Sequence, residues 1–280
     1  MPSPPRLTAE TRKALLLWLE KDTPHLYLCF ECNGLHPWQR VAERYSNRNI
    51  ISPRGGDDNW GRLGPRVPHS TIGIQFSLAR AVMNRHHYGP QHGPAVTLLS
   101  GSKSKADQYY SDPELIIDES WSARIVAGEL YVKSNLQLHH RDGCALPLRH
   151  YLDSAVGEIA RLVCHQVGML HPFLGVCRIR ELERAPDSTD PLVIVAGALK
   201  SCRYCFTDYR VDVQFAPRNR SSSSNNNTRA IMGWVVSVTR WQCLGACRSP
   251  QDIKWRNYTS PKFPCPPRAD SCRPGALYRS

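Results

Sequence analysis

Long apolar runs are absent from this 280-residue sequence. The longest one, the Leu/Trp run at residues 15–19, has Lys and Glu close on both sides and is too short to span a bilayer. Residues 1–5 also lack the apolar region of a secretory signal peptide. We therefore predict an intracellular protein, in the cytoplasm or the nucleus, with no membrane partner.

Motifs of the common catalytic classes are absent as well. The sequence contains no Gly-x-Ser-x-Gly elbow, no His-Glu-x-x-His pair and no Walker phosphate loop. Cys164 and His165 are the only adjacent Cys–His pair, but neighbouring side chains point apart on a strand and do not stack on a helix. The sequence therefore predicts a protein without enzymatic activity.

A dense basic block with interleaved aromatic residues is missing, although the chain is basic overall. Lys and Arg number 36 against 24 Asp and Glu, which gives a formal net charge of +12. A groove that follows nucleic-acid phosphates requires clustered cations, whereas these arginines are spread along the chain. The charge favours a basic surface for an acidic partner, or for none in particular, and nucleic acid stays as the alternative.

Cysteine is plentiful, and four of the eleven cysteines form two Cys-x-x-Cys pairs. An odd number of cysteines in an intracellular protein indicates free thiols or metal ligands rather than a disulfide framework. The pairs are Cys29 with Cys32 and Cys202 with Cys205, and each places two thiols on one side of a short turn. We predict that the four cysteines share one zinc ion, with His36 as an alternative ligand. The competing interpretation is that each pair is an isolated buried turn without metal.

Periodicity and turn chemistry predict an α+β fold. Thr8 can cap a helix that runs to Lys21 and carries Leu15, Trp18 and Leu19 on one stripe. A short strand at 26–28 leads into the first cysteine pair and returns at 35–38, which makes a small hairpin. The other predicted elements are helices at 74–87 and 148–163, extended stretches at 176–182 and 192–199, and long antiparallel hairpins at 121–138 and 209–240.

Irregular chain is expected between these elements, because the sequence contains 22 prolines and 18 glycines. We predict loops at 46–70, 100–115 and 217–229, and a disordered tail rich in Pro and Cys at 261–280. His86 and His87 end the predicted helix at 74–87 and His92 follows shortly after it, and these histidines suit the negative end of the helix dipole better than a metal site.

Four stretches occur in an order that resembles the carboxy-terminal region of filamentous-fungal F-box proteins. The first is residues 15–22 running into Cys29-x-x-Cys32-x-x-Leu35-His36, and the second is residues 82–89 followed by His92-Gly93. The third is Cys202-x-x-Cys205-x-Thr207-Asp208. The fourth runs from Trp241-x-x-Leu244-Gly245 through Ser249-Pro250 to Lys254-Trp255. The similarity extends from residue 7 to about residue 258.

This resemblance implies one F-box-associated domain at residues 1–260 that binds a protein substrate for a ubiquitin ligase and has no catalysis of its own. Two features depart from the family. Only seven residues precede the leucine-rich helix, which leaves no room for an F-box, and Cys243 stands where an acidic residue is expected. The alternatives are a zinc-ribbon-like nucleic-acid binder and a truncated or nonfunctional product.

The missing F-box gives the first prediction. This chain alone should not bind the ubiquitin-ligase adaptor, because the segment that makes that contact in the resembling family is absent. A direct binding assay with purified adaptor tests this expectation. Clear micromolar binding by residues 1–280 would contradict it.

Overall fold

The computed structural model of the chain shows a mixed α+β architecture, which confirms the predicted fold class. The residues that it describes are 8–47, 74–106, 115–140, 192–195, 197–202, 206–218 and 231–259. The predicted helix at 148–163, the extended stretch at 176–182 and the tail at 261–280 lie outside these ranges. The assignment of residues 1–260 to one domain therefore stays a prediction.

The N-terminal part consists of helices packed around a two-stranded hairpin. Thr8 caps the first helix by accepting a hydrogen bond from the backbone N–H of Thr11 at 3.2 Å, as predicted. The elements are α1 (Ala9–Asp22), β1 (Leu26–Cys29), β2 (Gly34–Pro37), α2 (Trp38–Asn47) and α3 (Phe76–Tyr88). Strands β1 and β2 are antiparallel and form a sheet of their own.

The remaining strands form one antiparallel sheet of seven strands. Its centre consists of the two predicted hairpins, β4 (Leu115–Val126) with β5 (Glu129–His140) and β8 (Thr207–Arg218) with β9 (Ile231–Gly245), and both are confirmed. Strands β3 (Gly101–Ala106), β6 (Leu192–Val195) and β7 (Lys200–Ser201) complete it in the order β3-β4-β5-β9-β8-β6, with β7 also paired to β8. A fourth helix, α4 (Ile253–Thr259), follows β9.

Each of the three predicted loops overlaps a helix or a strand in part. The loop predicted at 100–115 is wrong for 101–106, because this polar segment pairs with β4 as the edge strand β3. Edge strands tolerate lysine and serine, since one side needs no neighbouring strand. The loop predicted at 46–70 overlaps the end of α2, and the one at 217–229 overlaps the end of β8; their remaining residues lie outside the described ranges.

The core lies between α3 and one end of the large sheet. Buried residues of α3, among them Leu78, Val82 and Met83, share an apolar cluster with Trp121 of β4 and Leu130 of β5. Helix α2, which the sequence did not predict, adds Val41, with Trp38 and Tyr45 at its margin. None of the helices that the structure describes has the length and apolar character needed to cross a membrane.

Helix α1 is attached to the core through a charged residue rather than through its apolar stripe. Leu15, Trp18 and Leu19 are exposed, and Trp18 retains 70% of its accessible surface. Glu20 retains 1%. One oxygen of its carboxylate, Oε1, accepts a hydrogen bond from the backbone N–H of Leu28 at 2.7 Å. Glu20 therefore connects α1 directly to β1.

Arg80 of α3 neutralises this carboxylate. Its Nε donates to Oε1 of Glu20 at 2.9 Å, and its Nη2 pairs with Oε2. The side-chain amide of Asn84 donates to Oε1 at 2.8 Å. The remaining guanidinium nitrogen, Nη1, donates to the carbonyls of Cys247 and Arg248, which follow β9. One buried network thus joins α1, β1, α3 and the segment after β9.

Glu20→Gln should destabilise the protein by about 3–5 kcal/mol, because it leaves the Arg80 cation buried without its counter-charge. The free energy of unfolding in urea measures the loss. Glu43→Gln, which changes an exposed carboxylate on α2, is the matched control and should cost less than about 0.5 kcal/mol. Equal effects of the two substitutions would show that the ion pair does not hold the helices together.

Candidate metal centre

The β1–β2 hairpin brings together Cys29, Cys32 and His36. Their ligand atoms all lie within 4.8 Å of one another. The sulfur of Cys32 and Nε2 of His36 are 2.9 Å apart. These three residues could hold a metal ion, as the zinc prediction requires for the first cysteine pair.

The strand register explains why these residues meet. Cys29 is the last residue of β1 and pairs with Gly34, so His36, two positions further on, lies on the same face of the hairpin. Asn33 has a φ of 50°, a left-handed conformation that asparagine adopts more easily than most residues. The turn thereby places Cys32 above Gly34.

Gly34 leaves space for the sulfur of Cys32. A Cβ atom at this position would lie 3.3 Å from Cys32 Sγ and 3.8 Å from His36 Nε2. The first distance is tighter than an ordinary van der Waals contact. A side chain at residue 34 would therefore push the ligand atoms apart.

Burial raises the pKa of the Cys29 thiol, and the neighbouring sulfur of Cys32 acts in the same direction. The backbone N–H groups of Cys32 and Glu31 face the Cys29 sulfur as hydrogen-bond donors and partly offset this effect. Donors of this kind stabilise a thiolate, which is the form that binds metal. Metal binding at Cys29 must displace a proton, so affinity should fall as the pH falls.

Two sulfurs and one imidazole nitrogen form a donor set that suits zinc. Zinc binds cysteine and histidine in tetrahedral sites, and these three residues provide three of the four positions. Within the part of the chain that the structure describes, no fourth ligand joins the group. The fourth position is available to water or to a residue elsewhere in the chain.

The second cysteine pair is only partly described. Cys202 is buried at the large sheet, where its backbone N–H donates to the carbonyl of Thr207 at 2.9 Å, and it does not belong to the cluster of Cys29, Cys32 and His36. Cys205 and the Cys164–His165 pair lie outside the described residues. The four-cysteine zinc site therefore stays a prediction, while His36, the alternative ligand, does lie beside the first pair.

The histidines at the end of α3 occupy the positions that the sequence predicts. His86 and His87 lie in the last helical turn, and Gly89, with a φ of 106°, ends the helix through its N–H to the carbonyl of Arg85. Burial lowers the pKa of His87, and the nearby charges of His86 and Arg248 add to the effect.

A second polar cluster, which the sequence did not predict, surrounds Glu129 at the start of β5. Its Oε1 pairs with Lys254 of α4, and its Oε2 accepts hydrogen bonds from Cys243 and Tyr131, each at 3.4 Å. Burial raises the pKa of Cys243 to about 11. This thiol is therefore protonated at neutral pH and is a weak nucleophile.

A cavity of about 190 Å³ lies beside the metal centre and shares Cys29 with it. Its walls come from α1, the β1–β2 hairpin, the start of α3 and the segment between β9 and the end of α4. The hairpin that carries the candidate metal ligands therefore also lines the cavity.

The chain matches no protein-family model, no curated protein and no solved structure. The donor set and its surroundings are therefore the basis for assigning a function.

Gly34→Ala should weaken zinc affinity about tenfold, because the added methyl group displaces Cys32 from its position beside His36. Competition with a chromophoric chelator measures the affinity. Gly89→Ala is the control: nothing lies within 4 Å of its added methyl group, so it should lower stability through backbone strain and leave zinc affinity unchanged. Undiminished affinity in Gly34→Ala would show that zinc does not require this arrangement.

The Glu129–Lys254 pair predicts a pH-dependent contribution to stability. Burial acts to raise the pKa of Glu129, but the hydrogen bond and charge of Lys254 outweigh it and hold the pKa below its usual value. A carboxylate with a lowered pKa stabilises the fold above its unfolded pKa, and this contribution is lost as the pH falls through the folded pKa. Glu129→Gln should therefore cost about 1 kcal/mol at neutral pH and much less near pH 3.

Urea unfolding of the parent chain and Glu129→Gln at both pH values checks this expectation, with the exposed Glu43→Gln as the control. A cost that is the same at both pH values would contradict the assignment of charge to this pair.

Proposed function

We propose that this chain is a zinc-binding, non-catalytic protein-interaction module. The observation that carries the proposal is the convergence of Cys29, Cys32 and His36 in one hairpin turn. With a further residue of the chain as the fourth ligand, zinc at this position is structural: it holds the turn between β1 and β2, and this turn forms one wall of the adjacent cavity.

The chemistry of Cys243 and of the cavity lining supports binding rather than catalysis. Cys243, a buried thiol with a raised pKa, lacks the thiolate character of a nucleophile. The cavity includes Glu31 and Lys13 but no histidine to act as a general base near neutral pH. A partner molecule can therefore occupy this surface without being transformed.

The order of the sequence motifs supports a protein as the partner. The region from α1 to His36 contains the first of the four stretches that resemble fungal F-box proteins, and the last runs from the end of β9 into α4. On this proposal the chain recognises a protein substrate inside the cell, in the cytoplasm or the nucleus.

Metal content tests the first half of the proposal. The purified chain should contain one zinc ion per molecule, and Cys32→Ser should lose most of it, because the substitution removes one of the sulfur ligands. Cys243→Ser changes a cysteine outside the cluster and should retain the metal. A parent chain without zinc, or a Cys32→Ser variant with a full complement, would contradict the proposal.

Nucleic-acid binding is the second candidate, and the net charge of +12 is the observation that favours it. Affinity capture from fungal cell extract, with and without nuclease treatment, separates the two. Recovery of one dominant protein or of ubiquitin-ligase subunits, insensitive to nuclease, supports the interaction module. Recovery of many proteins that nuclease abolishes supports the nucleic-acid binder.

A further inference from the structure

The cavity beside the metal centre has the size of a single aromatic side chain. Its volume is about 190 Å³, and an apolar cavity of about 150 Å³ is large enough to bind benzene. Four of its lining residues, Tyr27, Leu28, Phe76 and Trp255, are buried, while Glu31, Asn33 and Gln251 are exposed at its edge. It is therefore a cleft with a buried apolar floor and a polar rim.

The floor is aromatic and already arranged for edge-to-face packing. Phe76 contacts Phe30 with ring centroids 5.6 Å apart and Trp255 with centroids 5.1 Å apart, both in T-shaped geometry. A further ring that enters the cleft extends this arrangement, and each such pair contributes beyond simple burial. An aromatic group is thus a better occupant than an aliphatic one of equal volume.

The charge beside Phe30 disfavours a positively charged occupant. Nζ of Lys13 lies 4.9 Å from the centroid of this ring, and Cζ of Arg80 lies 5.0 Å from it. Arg80 is neutralised by Glu20, but none of the ion pairs formed by the described residues includes Lys13. A cationic ligand would therefore meet like charge, whereas an anion can pair with Lys13 at the rim.

The start of α3 adds to this preference. Phe76 and Ser77, its first two residues, line the cleft, and the N-cap residue Gln75 makes no side-chain hydrogen bond to the helix. The first N–H groups of a helix carry partial positive charge. These N–H groups and Lys13 both favour an anionic ligand, whereas the carboxylate of Glu31 on the lining opposes one.

We infer that this cleft binds an aromatic side chain from an acidic segment of a partner protein. The inference rests on the proposed interaction function and names the partner's chemistry. The aromatic ring enters between Phe30, Phe76 and Trp255, and a flanking Asp or Glu pairs with Lys13. Cys29, Phe30, Glu31 and Asn33 come from the hairpin turn, so zinc also holds this wall of the cleft.

Selection of random displayed peptides on the zinc-loaded full chain tests the inference. The enriched peptides should contain Phe, Tyr or Trp beside Asp or Glu. Fluorescence polarisation of the most enriched peptide then gives its dissociation constant for each variant, and zinc content is measured on the same samples.

Ser77→Phe should raise the dissociation constant of this peptide more than tenfold, because the new ring fills the cleft. Since Ser77 is half-buried and its replacement could disturb folding, Lys13→Glu provides a second variant and should weaken binding about fivefold. Arg12→Glu makes the same charge change one residue away, outside the cleft lining, and should alter binding less than about twofold. Glu31→Gln should strengthen peptide binding, because it removes the opposing charge from the lining.

Several outcomes would overturn the inference: no enriched peptide, enrichment of basic peptides, or binding that Ser77→Phe and Lys13→Glu leave intact. Single-stranded oligonucleotides that displace the peptide and lose affinity in Ser77→Phe would make a nucleobase the occupant and also overturn it. A chain that contains zinc but binds no peptide would contradict the cleft assignment alone. A chain that binds the peptide but contains no zinc would contradict the proposed metal site instead.

Discussion

The carboxylate of Glu20 and the guanidinium of Arg80 are both almost completely buried, and the arrangement of the surrounding elements depends on this pair. Taking two charges out of water costs several kcal/mol per ion unless further hydrogen bonds satisfy them. Here a backbone N–H of β1, the amide of Asn84 and two carbonyls after β9 provide those bonds. The pair therefore fixes the relative positions of helices α1 and α3, strand β1 and the segment after β9.

The positions of Cys29 and of the cleft follow from this constraint. Leu28, whose N–H binds Glu20, immediately precedes Cys29, and Arg80 also lies against the ring of Phe30 in the next turn. A two-stranded hairpin is marginally stable by itself, so β1 and β2 need attachment to the core and benefit from a metal that closes their turn. The ion pair fixes where the hairpin lies, and the zinc ion that we propose would fix the shape of its tip.

Local signals predicted the parts of the fold that local chemistry determines. Alternation and Gly128 located the β4–β5 hairpin, and the Cys-x-x-Cys spacing located the sulfurs of Cys29 and Cys32. The burial of Glu20 escaped prediction because its partner, Arg80, is 60 residues away in the sequence. Strand β3 was not predicted, because pairing with β4, rather than its own polar sequence, makes residues 101–106 extended.

X-ray absorption at the zinc edge of the purified chain tests the central claim most directly, because it counts the sulfur and nitrogen neighbours of the metal. With Cys29, Cys32 and His36 as ligands, the spectrum should show two sulfurs at about 2.3 Å and at least one imidazole nitrogen at about 2.0–2.1 Å. Four sulfurs and no imidazole would exclude His36 as a ligand and favour the site formed by Cys29, Cys32, Cys202 and Cys205. A shell of oxygen and nitrogen alone would exclude the hairpin as the zinc site.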